Sequence, residues 1–213
     1  MSYDKTYKNF DNVFGSNPEE ILTNFFDKID KTKPVLDIGA GQGRNSIFLA
    51  EKGFEVDAID PSIVAVETLS EISQKRNLNI NTYHADFESF TSVRKCYSAI
   101  MLFGLIQILS HKQINDLVNK INSLICDKGL IFITAFGVED PGFKKYSKQW
   151  LIEKENSFKD NDGNYRTYLK KNEVLNLFPS YNVVYHKEEW GKEHHHGDGI
   201  LEKHFMVVSA LQK

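Results

Sequence analysis

The sequence contains few cysteines, no long apolar run and no charge excess of either sign. Its two cysteines, Cys96 and Cys126, lie in separate segments, so we expect no disulfide framework, two buried small side chains and a reducing compartment. The first residues, Met1 to Lys5, show no apolar signal region, and no stretch approaches the roughly 18 apolar residues of a membrane helix. We therefore expect a cytoplasmic protein with no membrane partner.

The charge balance argues against nucleic acid as a partner. The chain carries 26 Lys and Arg against 29 Asp and Glu, which gives a net charge of -3. A protein that binds nucleic-acid phosphates usually presents an excess of basic residues. The length of 213 residues and the 41% hydrophobic content suit one domain with a sizeable core.

Apolar runs alternate with helical patterns through the first two thirds of the chain. The predicted strands are Val35–Gly39, Glu55–Asp60, Ile80–His84, Tyr97–Phe103 and Leu130–Phe136. The first predicted helix begins after Asn17, which can act as its cap. Further helices are predicted over Arg44–Lys52, Ser62–Arg76 and His111–Cys126. This alternation predicts right-handed crossovers and a parallel sheet that helices cover on both faces.

The alternation stops between residues 137 and 165. A loop of this length in a compact domain is usually functional or contains short elements of its own. Beyond it we expect a short helix over Lys170–Leu177. Two last strands, Tyr181–Glu189 and His204–Leu211, are expected to pair as an antiparallel hairpin.

The first predicted strand runs into Gly39-Ala40-Gly41-Gln42-Gly43 and then into a helix. Glycine lets the backbone approach a ligand closely, and cofactors in such sheets lie beyond the carboxyl ends of the strands. The dinucleotide fingerprint Gly-x-Gly-x-x-Gly would place its third glycine at Arg44, and no phosphate-loop motif is present. The loop predicts a cofactor without a pyrophosphate, while a nucleotide- or NAD-binding protein stays as an alternative.

Three aspartates accompany the first three predicted strands. Asp37 lies inside the first strand and is expected to accept hydrogen bonds from the loop backbone. Asp60 ends the second strand, where a carboxylate can bind both hydroxyls of a ribose. Asp86 follows the third strand, where it can meet an exocyclic amine, with Phe87 beside a purine ring. Each acid alone is more typical of a turn or a cap, but three at successive strands favour a nucleoside-containing cofactor.

With these motifs the sequence resembles the class I S-adenosylmethionine-dependent methyltransferases over roughly residues 18–136. The segments that carry the resemblance are Val35–Gly43, Ala58–Ser62, Ala85–Phe87 and Phe103–Ile106. Two further segments, Gly41–Ala50 and Tyr168–Phe178, are similar to the tellurite-resistance branch. That branch carries a His-Arg pair near the final hairpin, whereas residues 193–199 of this chain contain no arginine.

The resemblance implies a doubly wound, Rossmann-like α/β sheet of seven mostly parallel strands with an antiparallel last strand. It implies S-adenosyl-L-methionine as cofactor and S-adenosyl-L-homocysteine as product. The glycine loop would line the methionine part, Asp60 the ribose, and Asp86, Phe87 and Phe103 the adenine. Arg44 and Asn45 would hold polar groups at the pocket mouth or face solvent. The predicted cofactor contacts are Asp37, Gly39, Ala40, Gly41, Gly43, Arg44, Asn45, Asp60, Pro61, Ser62, Asp86, Phe87, Phe103 and Gly104.

We expect methyl transfer by in-line displacement to a small-molecule acceptor such as a thiol or a metalloid oxyanion. A sensor module that binds the cofactor without transfer is the alternative. The turn Phe103-Gly104-Leu105-Ile106 lacks the Pro-Pro motif of enzymes that methylate amino groups of bases or glutamine, which disfavours those acceptors. The sequence leaves the acceptor atom and the oligomeric state open.

The predicted plan is one domain in four parts. Residues 1–33 form a lid and helix, 34–136 the cofactor-binding core, 137–169 an insert over the acceptor site, and 170–213 a C-terminal helix and hairpin. Candidate catalytic bases are His194, His195 and His196, because imidazole titrates near neutrality. Alternatively, these histidines bind a metal or a metalloid substrate, or they form a solvated polar hairpin. We predict no dedicated metal site.

Overall fold

The computed structural model describes residues 3–10, 13–191, 194–195 and 201–213. The strands, in chain order, are β1 (Val35–Ile38), β2 (Val56–Asp60), β3 (Ile80–His84), β4 (Tyr97–Phe103), β5 (Ile125–Phe136), β6 (Leu151–Lys154), β7 (Ser157–Lys159), β8 (Tyr165–Thr167), β9 (Asn182–Trp190), β10 (His194–His195), β11 (Leu201–Glu202) and β12 (Phe205–Gln212). The helices are α1 (Asp4–Asn9), α2 (Glu20–Phe25), α3 (Arg44–Glu51), α4 (Ile63–Arg76), α5 (His111–Leu124), α6 (Pro141–Gln149) and α7 (Glu173–Leu177). Short 3-10 turns occur at Phe26–Lys28 and Ile106–Ile108.

The main sheet has the strand order β3-β2-β1-β4-β5-β12-β9. Strands β1 to β5 pair in parallel, and β12 runs antiparallel to both β5 and β9. This arrangement confirms the predicted doubly wound sheet and its antiparallel last strand. The order reverses between β1 and β4, so the loops that follow these strands diverge and leave a crevice at the carboxyl edge.

Helices cover both faces of this sheet, as predicted. On one face, Ile114, Leu117 and Ile121 of α5 are buried against the sheet. On the other face, Leu22 of α2 and Leu49 of α3 belong to a second buried cluster. All four residues of β1 are buried, which explains why that strand reads as an unbroken apolar run apart from its aspartate.

Two predicted helix ends were wrong. Helix α5 begins with a capping box between Ser110 and Gln113, but it ends at Leu124, so Cys126 belongs to β5. Helix α2 begins at Glu20 rather than next to Asn17. The reason is tertiary, because the backbone oxygen of Asn17 accepts a hydrogen bond from the Arg44 side chain.

The expectation of two unpaired cysteines was also wrong. Cys96 and Cys126 form a disulfide, with their Cα atoms 5.1 Å apart although 30 positions separate them in sequence. Cys96 directly precedes β4, and Cys126 lies near the start of β5. Parallel neighbouring strands begin at the same edge of a sheet, and this brings the two residues together. The pairing removes the cysteine-based reason for expecting a reducing compartment.

The segment from 137 to 165 contains elements of its own. Helix α6 begins at Pro141, and the side chain of Asp140 caps it by accepting from Gly142 N at 2.8 Å. Strands β6, β7 and β8 then form a separate antiparallel sheet. The predicted C-terminal helix and antiparallel hairpin are present as α7 and as β9 with β12. Within the described ranges, no helix is long and apolar enough to cross a membrane.

Candidate functional site

The glycine loop after β1 packs closely against its surroundings at Gly43 and at Gly41. Gly43 has a φ of 86°, and a Cβ at this position would lie 2.2 Å from Leu69 Cδ1. Gly41 also has a positive φ, and its missing Cβ would lie 3.0 Å from the Tyr7 hydroxyl. The backbone nitrogens of Gly39 and Ala40 donate to Ile59 O at 2.9 and 3.0 Å, which fastens the loop to the end of β2.

Asp60 joins the loops that follow β1 and β2. Its Oδ2 accepts from Gly41 N and its Oδ1 accepts from Ser62 N, each at 2.8 Å. Burial raises the pKa of the Asp60 carboxyl above its ordinary value, against the effect of these two hydrogen bonds. Each carboxylate oxygen keeps a further lone pair for another donor.

Asp37 has a different role from the predicted one. It is only 2% exposed and accepts a hydrogen bond from Ser46 Oγ of α3 at 2.6 Å. Burial raises its pKa to about 6. The backbone of the glycine loop donates to Asp60 rather than to Asp37, because the side chain of Asp37 points from mid-strand toward the helix.

A cavity of about 260 Å³ lies at the carboxyl edge of the sheet. It brings together four predicted site residues, Gly39, Pro61, Asp86 and Phe87. Asp86 accepts from Ser89 N at 2.7 Å and from Ser89 Oγ at 2.6 Å, and these bonds lower its pKa, so it is held as a carboxylate. Phe87 is buried and supplies an apolar wall.

The far wall of this cavity comes from the turn after β4 and from the insert. The turn contributes Leu105, Ile108 and Leu109 to the lining. The insert contributes Gly163, Asn164 and Tyr165. Thr167 Oγ1 donates to Leu109 O at 2.6 Å, which ties the insert to that turn. The insert thus contributes to the lining of the cavity, and its placement over an acceptor site stays a prediction.

An N-terminal segment, residues 3–10, 13 and 14, lies over the glycine loop. Tyr7 is buried and packs at 5.9 Å from the Tyr3 ring and 6.4 Å from the Phe14 ring. Burial, and then the charge of Asp60, raise the pKa of the Tyr7 phenol. Gln42 holds the segment at two points, since its Oε1 accepts from Val13 N at 2.9 Å and its Nε2 donates to Phe10 O at 3.1 Å.

Known proteins match this arrangement. Residues 35–129 match the family model described as a methyltransferase domain. Over 137 residues the chain is 30% identical to the probable S-adenosyl-L-methionine-dependent methyltransferase TehB of Haemophilus influenzae, covering 58% of this chain and 48% of TehB. Over 95 residues it is 35% identical to the ubiquinone biosynthesis O-methyltransferase of Rickettsia prowazekii, covering 45% of this chain and 36% of that protein. The chain thus spans about half the length, or less, of these curated relatives.

The crystal structure of TehB from Haemophilus influenzae has the same fold. It superposes with a TM-score of 0.71 at 19% identity, over 99% of this chain and 65% of TehB. In sequence and in fold the chain is therefore similar to S-adenosylmethionine-dependent methyltransferases. The matched segment contains β1 to the start of β5, and with them the glycine loop, Asp60 and Asp86.

The residues around the cavity suit S-adenosylmethionine, on which the TehB relative depends according to its name. The wall of Phe87 and the ionised Asp86 provide an apolar surface and an acceptor for an amino-substituted aromatic ring. The carboxylate of Asp60 offers lone pairs to a diol. Phe103 ends β4, and the backbone nitrogen of Gly104 donates to Thr134 O at 3.0 Å, which sets the course of the turn beside the cavity.

Arg44 and Asn45 contact the protein rather than the cavity. The Arg44 guanidinium pairs with Glu19 and donates to Asn17 O at 3.1 Å. Asn45 is buried, and its Oδ1 accepts from Glu19 N at 2.8 Å. The sequence predicted that these two residues lie either at the pocket mouth or on a solvent-facing turn. Instead, both side chains fasten the segment before α2 to α3.

The histidine run is only partly described. His194 and His195 form β10, which pairs with β11 through Glu202 and Leu201. Their side chains and all of His196 lie outside the described residues, so their predicted roles stay predictions. Across the described ranges, no group of His, Cys, Asp and Glu side chains has the arrangement of a metal site.

A histidine that sequence reasoning missed lies close to this hairpin. His204 Nδ1 is 2.8 Å from Asp140 Oδ2, and its Nε2 is 3.1 Å from Glu202 Oε2. Its ring stacks on Phe136 at the end of β5, with centroids 4.3 Å apart. The hydrogen bond to buried Asp140 raises the pKa of His204. The pair Asp140-Pro141 is a typical helix start. Nothing in the local sequence indicates the contact of Asp140 with His204, which lies 64 positions further along the chain.

Proposed function

We propose that this chain transfers the methyl group of S-adenosylmethionine to a small-molecule acceptor. The observation that carries this proposal is the bridge by Asp60 between the loops after β1 and β2, next to a cavity lined by Asp86 and Phe87. No observation favours a sensor without transfer activity.

The proposed cofactor contacts follow the geometry of the cavity. Asp60 would accept from the ribose hydroxyls, Asp86 from the adenine amine, and Phe87 would pack on the adenine ring. Gly39 would let the backbone approach the methionine part. S-adenosylmethionine supplies a methyl group that is already activated on a sulfonium, so the protein mainly has to align the acceptor and exclude water.

The N-terminal segment and the insert are the proposed covers of the site. Tyr7 lies against Gly41, and the Ser62 hydroxyl donates to Asp4 of α1, so α1 is fastened directly beside Asp60. Tyr165 lies on the opposite side of the cavity. Because these covers leave a cavity of only about 260 Å³, a small molecule fits the site better than a polymer.

The proposed acceptor side is the region between the turn after β4, the insert and the final hairpin. Asp140 fixes the orientation of His204 at the end of β5. We place His204 there as a positioning residue that joins the insert to the hairpin. The run His194, His195 and His196 remains a candidate for a base or for a ligand of the acceptor.

A methyl-transfer screen tests this function. The chain would be incubated with S-adenosylmethionine labelled in the methyl group and with thiols, amines, hydroxyl compounds, halides, selenite or tellurite. We expect labelled product with at least one class and binding of S-adenosylhomocysteine by calorimetry. Tight binding of NAD with no binding of S-adenosylhomocysteine would contradict the proposal.

A further inference from the structure

Gln107 has a buried side-chain oxygen, Oε1, that receives no hydrogen bond from any residue the structure describes. Gln107 lies in the 3-10 turn Ile106–Ile108, four residues after the end of β4. Buried polar atoms nearly always have a partner, because an unsatisfied atom has lost its water without compensation. A donor group of a bound molecule would satisfy this oxygen.

The turn that contains Gln107 borders the cavity, which its neighbours line. The Nε2 atom of Gln107 lies 3.6 Å from the point that a Cβ on Gly104 would occupy, directly after β4. The neighbours of Gln107 in the turn, Leu105 and Ile108, line the cavity. Strand β8 of the insert packs on the same turn from the other side.

We propose that Gln107 determines which acceptors are methylated, through a hydrogen bond from an N–H or O–H group of the acceptor to Oε1. This inference rests on the proposed function. An amide oxygen only accepts hydrogen bonds, so it selects molecules whose nucleophilic atom carries a hydrogen. Small amines and hydroxyl compounds have that hydrogen, whereas a halide ion or a thiolate has none.

The hydrogen bond acts by positioning the acceptor. The acceptor nitrogen or oxygen forms a bond to the methyl carbon, and the methyl–sulfur bond breaks with both electrons left on sulfur. The acceptor's hydrogen leaves as a proton to water. With that hydrogen held by Gln107, the remaining lone pair has a fixed direction, which is the alignment that in-line displacement needs.

Two substitutions of Gln107 and one control test the inference. Gln107→Met keeps the length of the side chain and removes the amide oxygen, while Gln107→Glu keeps an oxygen acceptor. Gln74→Met makes the same change on the exposed side of α4. For each variant, kcat and KM would be measured with propylamine, catechol, iodide and dithiothreitol as probes, and the Kd of S-adenosylhomocysteine by calorimetry.

We expect the wild type to prefer propylamine or catechol. Gln107→Met should lower kcat/KM for that probe roughly tenfold to a hundredfold, mainly through KM, and Gln107→Glu should retain most of it. The Kd of S-adenosylhomocysteine should change less than twofold in both variants. Gln74→Met should behave as the wild type.

Other outcomes overturn the inference in distinguishable ways. A preference for iodide or dithiothreitol, or an unchanged kcat/KM in Gln107→Met, shows that Gln107 selects no acceptor, although methyl transfer stands. A tenfold weaker S-adenosylhomocysteine affinity in Gln107→Met assigns the residue to the cofactor instead. A wild type that binds S-adenosylhomocysteine and methylates no probe contradicts the proposed function itself, and Gln107 then has no acceptor to select.

Discussion

The backbone nitrogen of Gly41 donates a hydrogen bond of 2.8 Å to the carboxylate of Asp60. Together with the bonds from Gly39 N and Ala40 N to Ile59 O, this contact joins the loop after β1 to the end of β2, and it spans 19 positions of sequence. The same carboxylate accepts from Ser62 N, so Asp60 holds the shape of two loops and keeps further lone pairs for the proposed ribose contact.

Asp60→Asn is expected to weaken S-adenosylhomocysteine binding roughly tenfold to a hundredfold, because it removes the charge and one acceptor oxygen from the proposed ribose contact. Calorimetric titration measures this affinity. Asp27→Asn, an equal change on an exposed side chain, serves as the control. An unchanged affinity in Asp60→Asn would show that the ribose does not bind to this carboxylate.

Gly43→Ala should destabilise the chain more than Gly53→Ala. Both glycines have nearly the same φ, 86° and 87°, but a Cβ meets Leu69 at 2.2 Å in the first case and nothing within 4 Å in the second. We expect a loss of about 1–2 kcal/mol at Gly53 for the left-handed backbone. At Gly43 a further loss of about 1–3 kcal/mol is expected from overpacking. Urea unfolding measures both, and equal losses would show that the contact with Leu69 relaxes freely.

The contact between His204 and Asp140 should stabilise the fold in a pH-dependent way. The folded-state pKa of His204 is raised, so its contribution is fully present below the ordinary histidine pKa of about 6.5 and is lost as the pH rises through the folded value. Unfolding free energies of wild type and His204→Gln would be compared between pH 5.5 and 9. The difference should shrink as pH rises; a difference that grows with pH would refute the assignment. The carboxyl groups of Asp140 and Glu202 both contact this histidine.

Reduction of the disulfide between Cys96 and Cys126 is expected to lower the unfolding free energy by roughly 3–4 kcal/mol, since a loop of 30 residues is released in the unfolded chain. Urea unfolding with and without dithiothreitol measures the change. The double variant Cys96→Ser with Cys126→Ser should match the reduced wild type and should not respond to dithiothreitol. Two titratable thiols in the untreated, unfolded chain would show that the bond does not form.

The local patterns of the sequence predicted most of the fold. The apolar runs at β1 and β4, the helical spacing of α5 and the glycines after β1 are features of neighbouring residues, and periodicity reads such features directly. The carboxyl-edge aspartates were found in the same way, because parallel strands end at one edge. Helix ends were less readable, as α5 and α2 show, since competing contacts from distant residues decide where a helix stops.

By itself, then, the sequence determined the doubly wound sheet, the glycine loop and the class of cofactor. Only the tertiary structure decided that Asp60 rather than Asp37 holds the loop, that Cys96 pairs with Cys126, and that His204 meets Asp140. The physical reason is the same in each case. The order of the strands brings together groups that lie 19 to 64 positions apart in sequence. Hydrogen-bond and disulfide partners depend on that proximity, and the spacing of neighbouring residues does not encode it.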